Sequence, residues 1–135
     1  SSIISFSTGS SWATMSILVP VTVPMSIQLM GGDGNQVVQD PIFLSTFAGV
    51  LSGSVFGDHC SPISDTTVLS STASGSDHID HVRTQLPYAL VCGVVALLAG
   101  YIFTGFGISL IVSLSVGLVG VIGVLKIFGK PILQE

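Results

Sequence analysis

From Leu86 to Leu125 the chain runs for 40 residues without one charged side chain. A helix needs about 20 mostly apolar residues, at roughly 1.5 Å each, to cross about 30 Å of hydrocarbon. The run therefore has the length of two crossings, and the Gly-rich TGFG at 104–107 is the natural turn between helices over 87–104 and 108–127. The rest of the chain has to be compatible with lipid. Its composition agrees: of 135 residues 48% are hydrophobic and only 7% charged, against about a quarter charged in soluble domains. A free soluble domain is excluded. So is a nucleic-acid binder, because three basic residues and a net charge of −4 cannot neutralise a phosphate backbone. Cys60 and Cys92 stand apart in apolar surroundings and read as small buried thiols rather than as a disulfide.

The remaining apolar stretches lack the period-two alternation of barrel strands. The expected fold is all-α and polytopic, with about three transmembrane helices plus a re-entrant hairpin leg, one helix being broken at mid-membrane. Residues 12–30 carry Pro20 and Pro24, which favour a kinked or re-entrant leg over a straight span. Residues 41–71 start at Pro41, suited to a first helical turn, and as unbroken helix would extend about 46 Å, too long for one straight crossing. The segment GDHCSPISDTT at 57–67 holds Pro62, a His and two carboxylates, and is where that helix is expected to unwind. Arg83, Lys126 and Lys130 place a loop over 72–86 and the C-terminus in the cytoplasm, with 31–40 and 104–107 outside. Ser1 opens the chain inside an apolar pattern, with neither a basic n-region nor a small-residue cleavage site, and the expectation is the tail of a longer polypeptide.

Asp58, Asp65, Asp77, Asp80, all three His and the only Arg fall between 57 and 83. A carboxylate at bilayer depth costs at least about 2.5 to 3.5 kcal/mol, so by default it is paired or functional. Asp58 and Asp65 are the two that cannot be moved to a loop without shortening their span; the alternative is a helix ending near Phe56 and one surface loop over 57–85. Ser61, Ser64, Thr66 and Thr67 surround these acids. Hydroxyls, carboxylates and carbonyls freed by a helix break are the hard oxygen ligands a small alkali cation takes. The run STGSSWATMS at 7–16 is a second Gly-centred element flanked by hydroxyls, a composition that also serves close helix packing. The doublets Asp58-His59, Asp77-His78 and Asp80-His81 raise a metal reading, but their spacing matches no strong zinc motif.

The block GSVFGDHCSPISDTTVLSSTASGSDHIDHVRTQLPYAL at 53–90 resembles the signature region of the NhaC-type sodium/proton antiporters, and STGSSWATMSILVPVTVP at 7–24 resembles the Ser/Thr-Gly segment that precedes it. The resemblance implies a secondary transporter rather than an enzyme, in the cell (inner) membrane. It places this chain in the second of two inverted repeats, each with a re-entrant hairpin and a broken helix. Ser7, Thr8, Gly9, Ser10 and Ser11 would form the hairpin tip, 12–30 the returning leg, and 41–71 the broken helix with CSPISD unwound. It implies Na+/H+ antiport, and some similar transporters exchange organic acids such as malate for lactate. Asp65 and Asp58 are then the coupling pair, with Ser61, Ser64 and Thr66 as neutral ligands and His59 as a relay. No cofactor is implied beyond the transported Na+ and H+. The partners are the lipid bilayer and the N-terminal half of the full transporter. Two competing readings are a truncated product with only a structural role in the membrane, and a metal-dependent membrane hydrolase built on the Asp-His doublets.

Overall fold

The structure, a computed structural model, describes residues 1–31 and 34–129. Gly32 and Asp33 of the 31–40 loop, and Lys130 among the charges used for orientation, lie outside the described residues. All regular structure among the described residues is helical: α1 (Ser2–Thr8), α2 (Ser11–Met30), α3 (Gly34–Val37), α4 (Pro41–Cys60), α5 (Asp65–Ala73), α6 (His78–Val95), a π-helical segment (Ala96–Ile102), α7 (Phe103–Gly105) and α8 (Leu110–Phe128). Two helical runs are long and apolar enough to cross a membrane, Ser11–Met30 and His78–Ile102, and Ile111–Ile127 is a shorter apolar helix. The chain divides into two compact units, one from Ser1 to Leu86 and the other from Pro87 onward.

In the first unit, α1 and α2 meet at a tight turn. Gly9 caps α1 in the left-handed region at φ 65°, and its N–H donates to the Ser5 carbonyl. A Cβ there would lie 2.8 Å from the Ile63 side chain and 2.9 Å from the Ile63 carbonyl oxygen, so glycine is required twice over. Ser10 caps α2 by accepting from Ala13 N–H, and α2 continues through Pro20 and Pro24 to a left-handed cap at Gly31. Asp40 caps α4 by accepting from Ile42 N–H at 2.7 Å, with Pro41 at the first position, where its missing N–H costs nothing.

α1 lies directly on α4. Gly49, Gly53 and Gly57 recur every fourth residue, so one face of α4 is bare backbone. A Cβ on Gly57 would collide with the Ser2 carbonyl oxygen, and one on Gly53 with the Ser1 hydroxyl. Hydroxyls lock this contact: Ser5 donates to the Ser54 carbonyl at 2.6 Å and Ser1 to the Gly49 carbonyl at 3.3 Å. The unit is polar at its centre and apolar outside. Thr14, Ser5, Ser54, Ser61, Ser64 and Ser71 are its fully buried side chains, whereas Ile3 and Trp12 are more than four-fifths exposed.

α4 stops at Cys60, residues 61–64 are unwound, and α5 resumes at Asp65. The loop expected over 72–86 is much shorter than that. Asp77 accepts from Ile79 and Asp80 N–H at 2.9 and 3.2 Å, and α6 starts at His78 rather than at residue 87, because a capping carboxylate turns the charged stretch into helix. The helix anticipated over 87–104 is the continuation of α6, α-helical to Val95 and π-helical from Ala96 to Ile102.

In the second unit, Gly107 makes the turn at φ 73°, and α8 packs on the π-helical segment. Ser113 donates to the Ala99 carbonyl there. Gly120 approaches Val95 closely enough that a Cβ would sit 3.2 Å from its side chain. Both cysteines are free; Cys60 is buried, but Cys92 is exposed on α6, against the expectation that both are covered.

Candidate functional site

Asp58 occupies the last turn of α4, where the helix ends because Pro62 two residues past it cannot donate to the ladder. Its carbonyl accepts from Ser61 N–H at 3.0 Å, which closes a turn and folds the unwound residues back over the carboxylate. Ser64 donates to Oδ1 of Asp58 at 2.6 Å, and Ser11 donates to Oδ2 at 2.9 Å. Ser64 also lies 2.8 Å from the Thr66 hydroxyl. Asp58 is 9% exposed. Three pieces of chain therefore converge on one carboxylate: the first turn of α2, the last turn of α4, and the break.

The break is pinned to the hairpin from a second side. Ser61, fully buried, donates to the Phe6 carbonyl of α1 at 2.8 Å and accepts from Ile63 N–H, so it anchors rather than lines the carboxylate. Gly9 touches Ile63 of the same segment. Gly9 and Ser11 make their contacts through a bare Cα and a hydroxyl, and Ser61 brings a hydroxyl from the break to the hairpin backbone, which is why the Ser/Thr-Gly run and the broken helix belong together.

The other anticipated residues lie elsewhere. Asp65 is exposed in the first turn of α5, its Oδ1 accepting from Thr66 N–H at 2.8 Å. His59 is exposed and is gripped by Gln85, whose amide lies 2.9 Å from Nε2 and 3.0 Å from the His59 carbonyl oxygen. Of the hairpin tip, Ser11 alone reaches Asp58. Ser7 bonds back to the Ile3 carbonyl, Thr8 lies 3.4 Å from the buried Thr14 hydroxyl, Gly9 turns the chain and Ser10 caps α2. Thr67 is buried, and its hydroxyl has no hydrogen-bond partner in the structure. Gln85 is not singled out by the sequence, and His78, which bonds to the break at Pro62, enters there only through the Asp77-His78 doublet. Their seven-residue separation puts them two turns apart on one face of α6, a signal hidden once the segment is read as loop. Among the described residues no group of three or more His, Cys, Asp or Glu side chains is arranged to hold a metal ion.

Comparison with known proteins bears on what this arrangement serves. Residues 1–106 match the family model described as the Na+/H+ antiporter family. An uncharacterized protein of Haemophilus influenzae is 44% identical over 101 residues, covering 75% of this chain and 18% of the relative. The arginine/ornithine antiporter ArcD of Halobacterium salinarum is 38% identical over 89 residues, 66% of this chain and 16% of that protein. The malate-2H(+)/Na(+)-lactate antiporter of Bacillus subtilis is 34% identical over 113 residues, 81% of this chain and 22% of its own length. The chain thus spans about a fifth of the curated relatives it matches. No solved structure matches it.

Proposed function

Because the chain belongs to the Na+/H+ antiporter family, we propose that it supplies the ion-coupling part of a secondary antiporter exchanging Na+ for H+, with Asp58 as the carboxylate for which the two cations compete. The observation that carries this reading is the cage around Asp58, a buried acid whose two oxygens each meet a hydroxyl from a different element. Hydrogen bonds to a charged group contribute about 1.5 to 3 kcal/mol each. Two of them match or exceed the roughly 2.5 to 3.5 kcal/mol cost of a carboxylate at bilayer depth, so the ionised form is sustainable there.

Serine hydroxyls suit both loads. Each carries one hydrogen and two lone pairs on a rotor. Pointed at Asp58, the hydrogens stabilise the empty carboxylate. Rotated away, the lone pairs become neutral ligands for Na+, and Ser64 passes the same choice to Thr66. A proton on Asp58 removes the charge that attracts Na+, so one group couples the two ions without a second binding site. Asp65 and His59, on the exposed side of the break, remain the second carboxylate and the relay of this reading, and Ser61 holds the hairpin in place.

The same reading takes the α1–Gly9–α2 hairpin as re-entrant, with three crossings formed by α4–α5, by α6 with its π-helical extension, and by α8. The protein would be multi-pass in the cell (inner) membrane, and the rest of a longer transporter would supply the other repeat. A second reading, exchange of organic substrates coupled to the cations, is favoured by the malate-lactate relative at 34% identity.

Everted vesicles containing an intact antiporter that carries this segment provide the test. Asp58→Asn should insert normally and abolish Na+-driven pH change, and Asp58→Glu should retain exchange with altered Na+ affinity. Parental exchange by Asp58→Asn with loss in Asp65→Asn would transfer the role to Asp65. Indifference to both, with labelled lactate still exchanging, would replace the first reading by the second.

A further inference from the structure

Pro20, Pro24 and Pro87 leave their helices intact: α2 runs unbroken through the first two and α6 through the third. A proline withholds one N–H, so the carbonyl four residues earlier loses its donor, while the next residue can still bond and carry the helix on through a kink. Pro62 in the same way takes from the ladder only the bond to the Asp58 carbonyl, which begins a break and does not by itself complete it. Ile63 N–H could still reach the His59 carbonyl and wind the chain on. Instead it lies 3.3 Å from the Ser61 hydroxyl oxygen, and the His59 carbonyl is taken by the side chain of Gln85, 3.0 Å away. A carbonyl only accepts, so the end of Gln85 that faces it is the NH2 group, which also lies 2.9 Å from His59 Nε2.

We infer that Gln85 is the positioning residue that turns a proline kink at Pro62 into a break: by occupying the His59 carbonyl from α6, it denies Ile63 the bond with which α4 would continue. The consequence reaches the site through an exchange of partners. Released from the ladder, Ile63 N–H donates to Ser61 Oγ, and the Ser61 hydrogen goes to the Phe6 carbonyl of α1 at 2.8 Å. Ser61 and Ser64 keep extended backbone, at φ −74°, ψ 131° and φ −66°, ψ 136°. So placed, Ser64 reaches Asp58 at 2.6 Å. In a wound helix Ser64 would stand about 9 Å along the axis and about 120° around it from Asp58, out of reach. His78, two turns earlier on the same face of α6, meets the Pro62 carbonyl at 2.7 Å, so one helix holds the break at two carbonyls.

The origin of the break is independent of the antiport reading; the effect on Na+ rests on it. Backbone carbon shifts of Ser61 and Ser64, read by NMR on the chain in lipid nanodiscs, distinguish extended from helical backbone. Cys60–Ser61 is the single Cys-Ser pair in the sequence, so paired labelling picks out Ser61. Both serines should give extended shifts in the parent. Gln85→Met, alike in length and without a donor, should move them to helical values, and Gln85→Lys, which again offers N–H, should return them. Gln85→Glu, ionised and without a donor, should also wind, and repeats the test with a polar side chain where the methionine variant fails to insert. In everted vesicles holding the intact antiporter, Gln85→Met should raise the half-saturating Na+ severalfold, a change that mere loss of folded protein, which lowers the maximal rate, would not produce. Extended shifts in both donorless variants would mean that Pro62 suffices, and overturn the proposal. Helical shifts that Gln85→Lys does not reverse overturn it as well, since packing and not the donated hydrogen would then hold the break. A wound segment with unchanged Na+ dependence leaves Gln85 as the determinant of the break and counts against the Asp58 cage as the ion site.

Discussion

Ser64 gives its single hydroxyl hydrogen to Asp58, which obliges Thr66 to donate to Ser64 and not the reverse. Ser64→Ala therefore leaves Asp58 with Ser11 alone and turns the exposed Thr66 hydroxyl to other partners. Loss of the Ser64 oxygen as a neutral Na+ ligand, offset in part by loss of the bond that stabilises the empty carboxylate, should raise the Na+ concentration for half-maximal exchange severalfold, with Ser64→Thr restoring most of it. Ser11→Ala, removing the longer bond at 2.9 Å, should do less. Vesicle exchange measured against Na+ checks both, and equal, negligible effects would show that the hydroxyls are not ligands. At this scale the sequence was legible as a set and not as a ranking. GDHCSPISDTT announced a helix break with acids and hydroxyls around it. Which acid turns inward was not readable, because residues 61–64 have no helical period to project a face. The turn closed by Ser61 on Asp58 decides it, leaving Asp65 to begin a new helix with its side chain exposed.

Helix α4 is shaped by what it lacks. Its glycine face lets α1 approach until the backbone and side-chain atoms of Ser2 and Ser5 occupy the space of a Cβ at Gly57. Gly57→Ala should destabilise the hairpin contact by about 1 to 3 kcal/mol, as overpacking does in tight cores. Gly34→Ala, with open space around it, serves as the silent control. Thermal unfolding in detergent, followed by proteolysis of the α1–α2 turn, reads the difference; equal melting of the two variants would remove α1 from the stabilising contacts. The four-residue glycine spacing is plain in the sequence, yet it is easily passed over among 16 glycines. The start of α6 was hidden for another reason. Charge marks the edge of a lipid-facing segment, not the edge of a helix, and the cap at Asp77 lies nine residues before Leu86, where the charge-free run begins (77 to 86). The π-helical turn at 96–102 has no compositional signature at all.

Among the described residues the most deeply buried side chains are hydroxyls, whereas many large apolar side chains are exposed, the arrangement expected when the solvent is lipid or neighbouring helices of the same transporter. In the proposed topology the basic residues set the sidedness, which puts Arg83 and Lys126 on the cytoplasmic side. In a background free of Cys60 and Cys92, Gly34→Cys should be labelled by an impermeant reagent from outside and Arg83→Cys from inside. Labelling of Gly34→Cys from the cytoplasm alone would invert the assignment. The buried hydroxyl core also has a calorimetric consequence. Heat capacity rises on unfolding because carbon surface meets water, and exposed polar surface lowers it. Pulling α1 and the break away from α4 uncovers serines, threonines and bare glycine backbone, with little carbon among them. The heat-capacity increment for that separation should fall well below the roughly 12 to 15 cal/mol/K per residue of water-soluble domains, giving an enthalpy that barely changes with temperature and a contact that does not weaken on cooling.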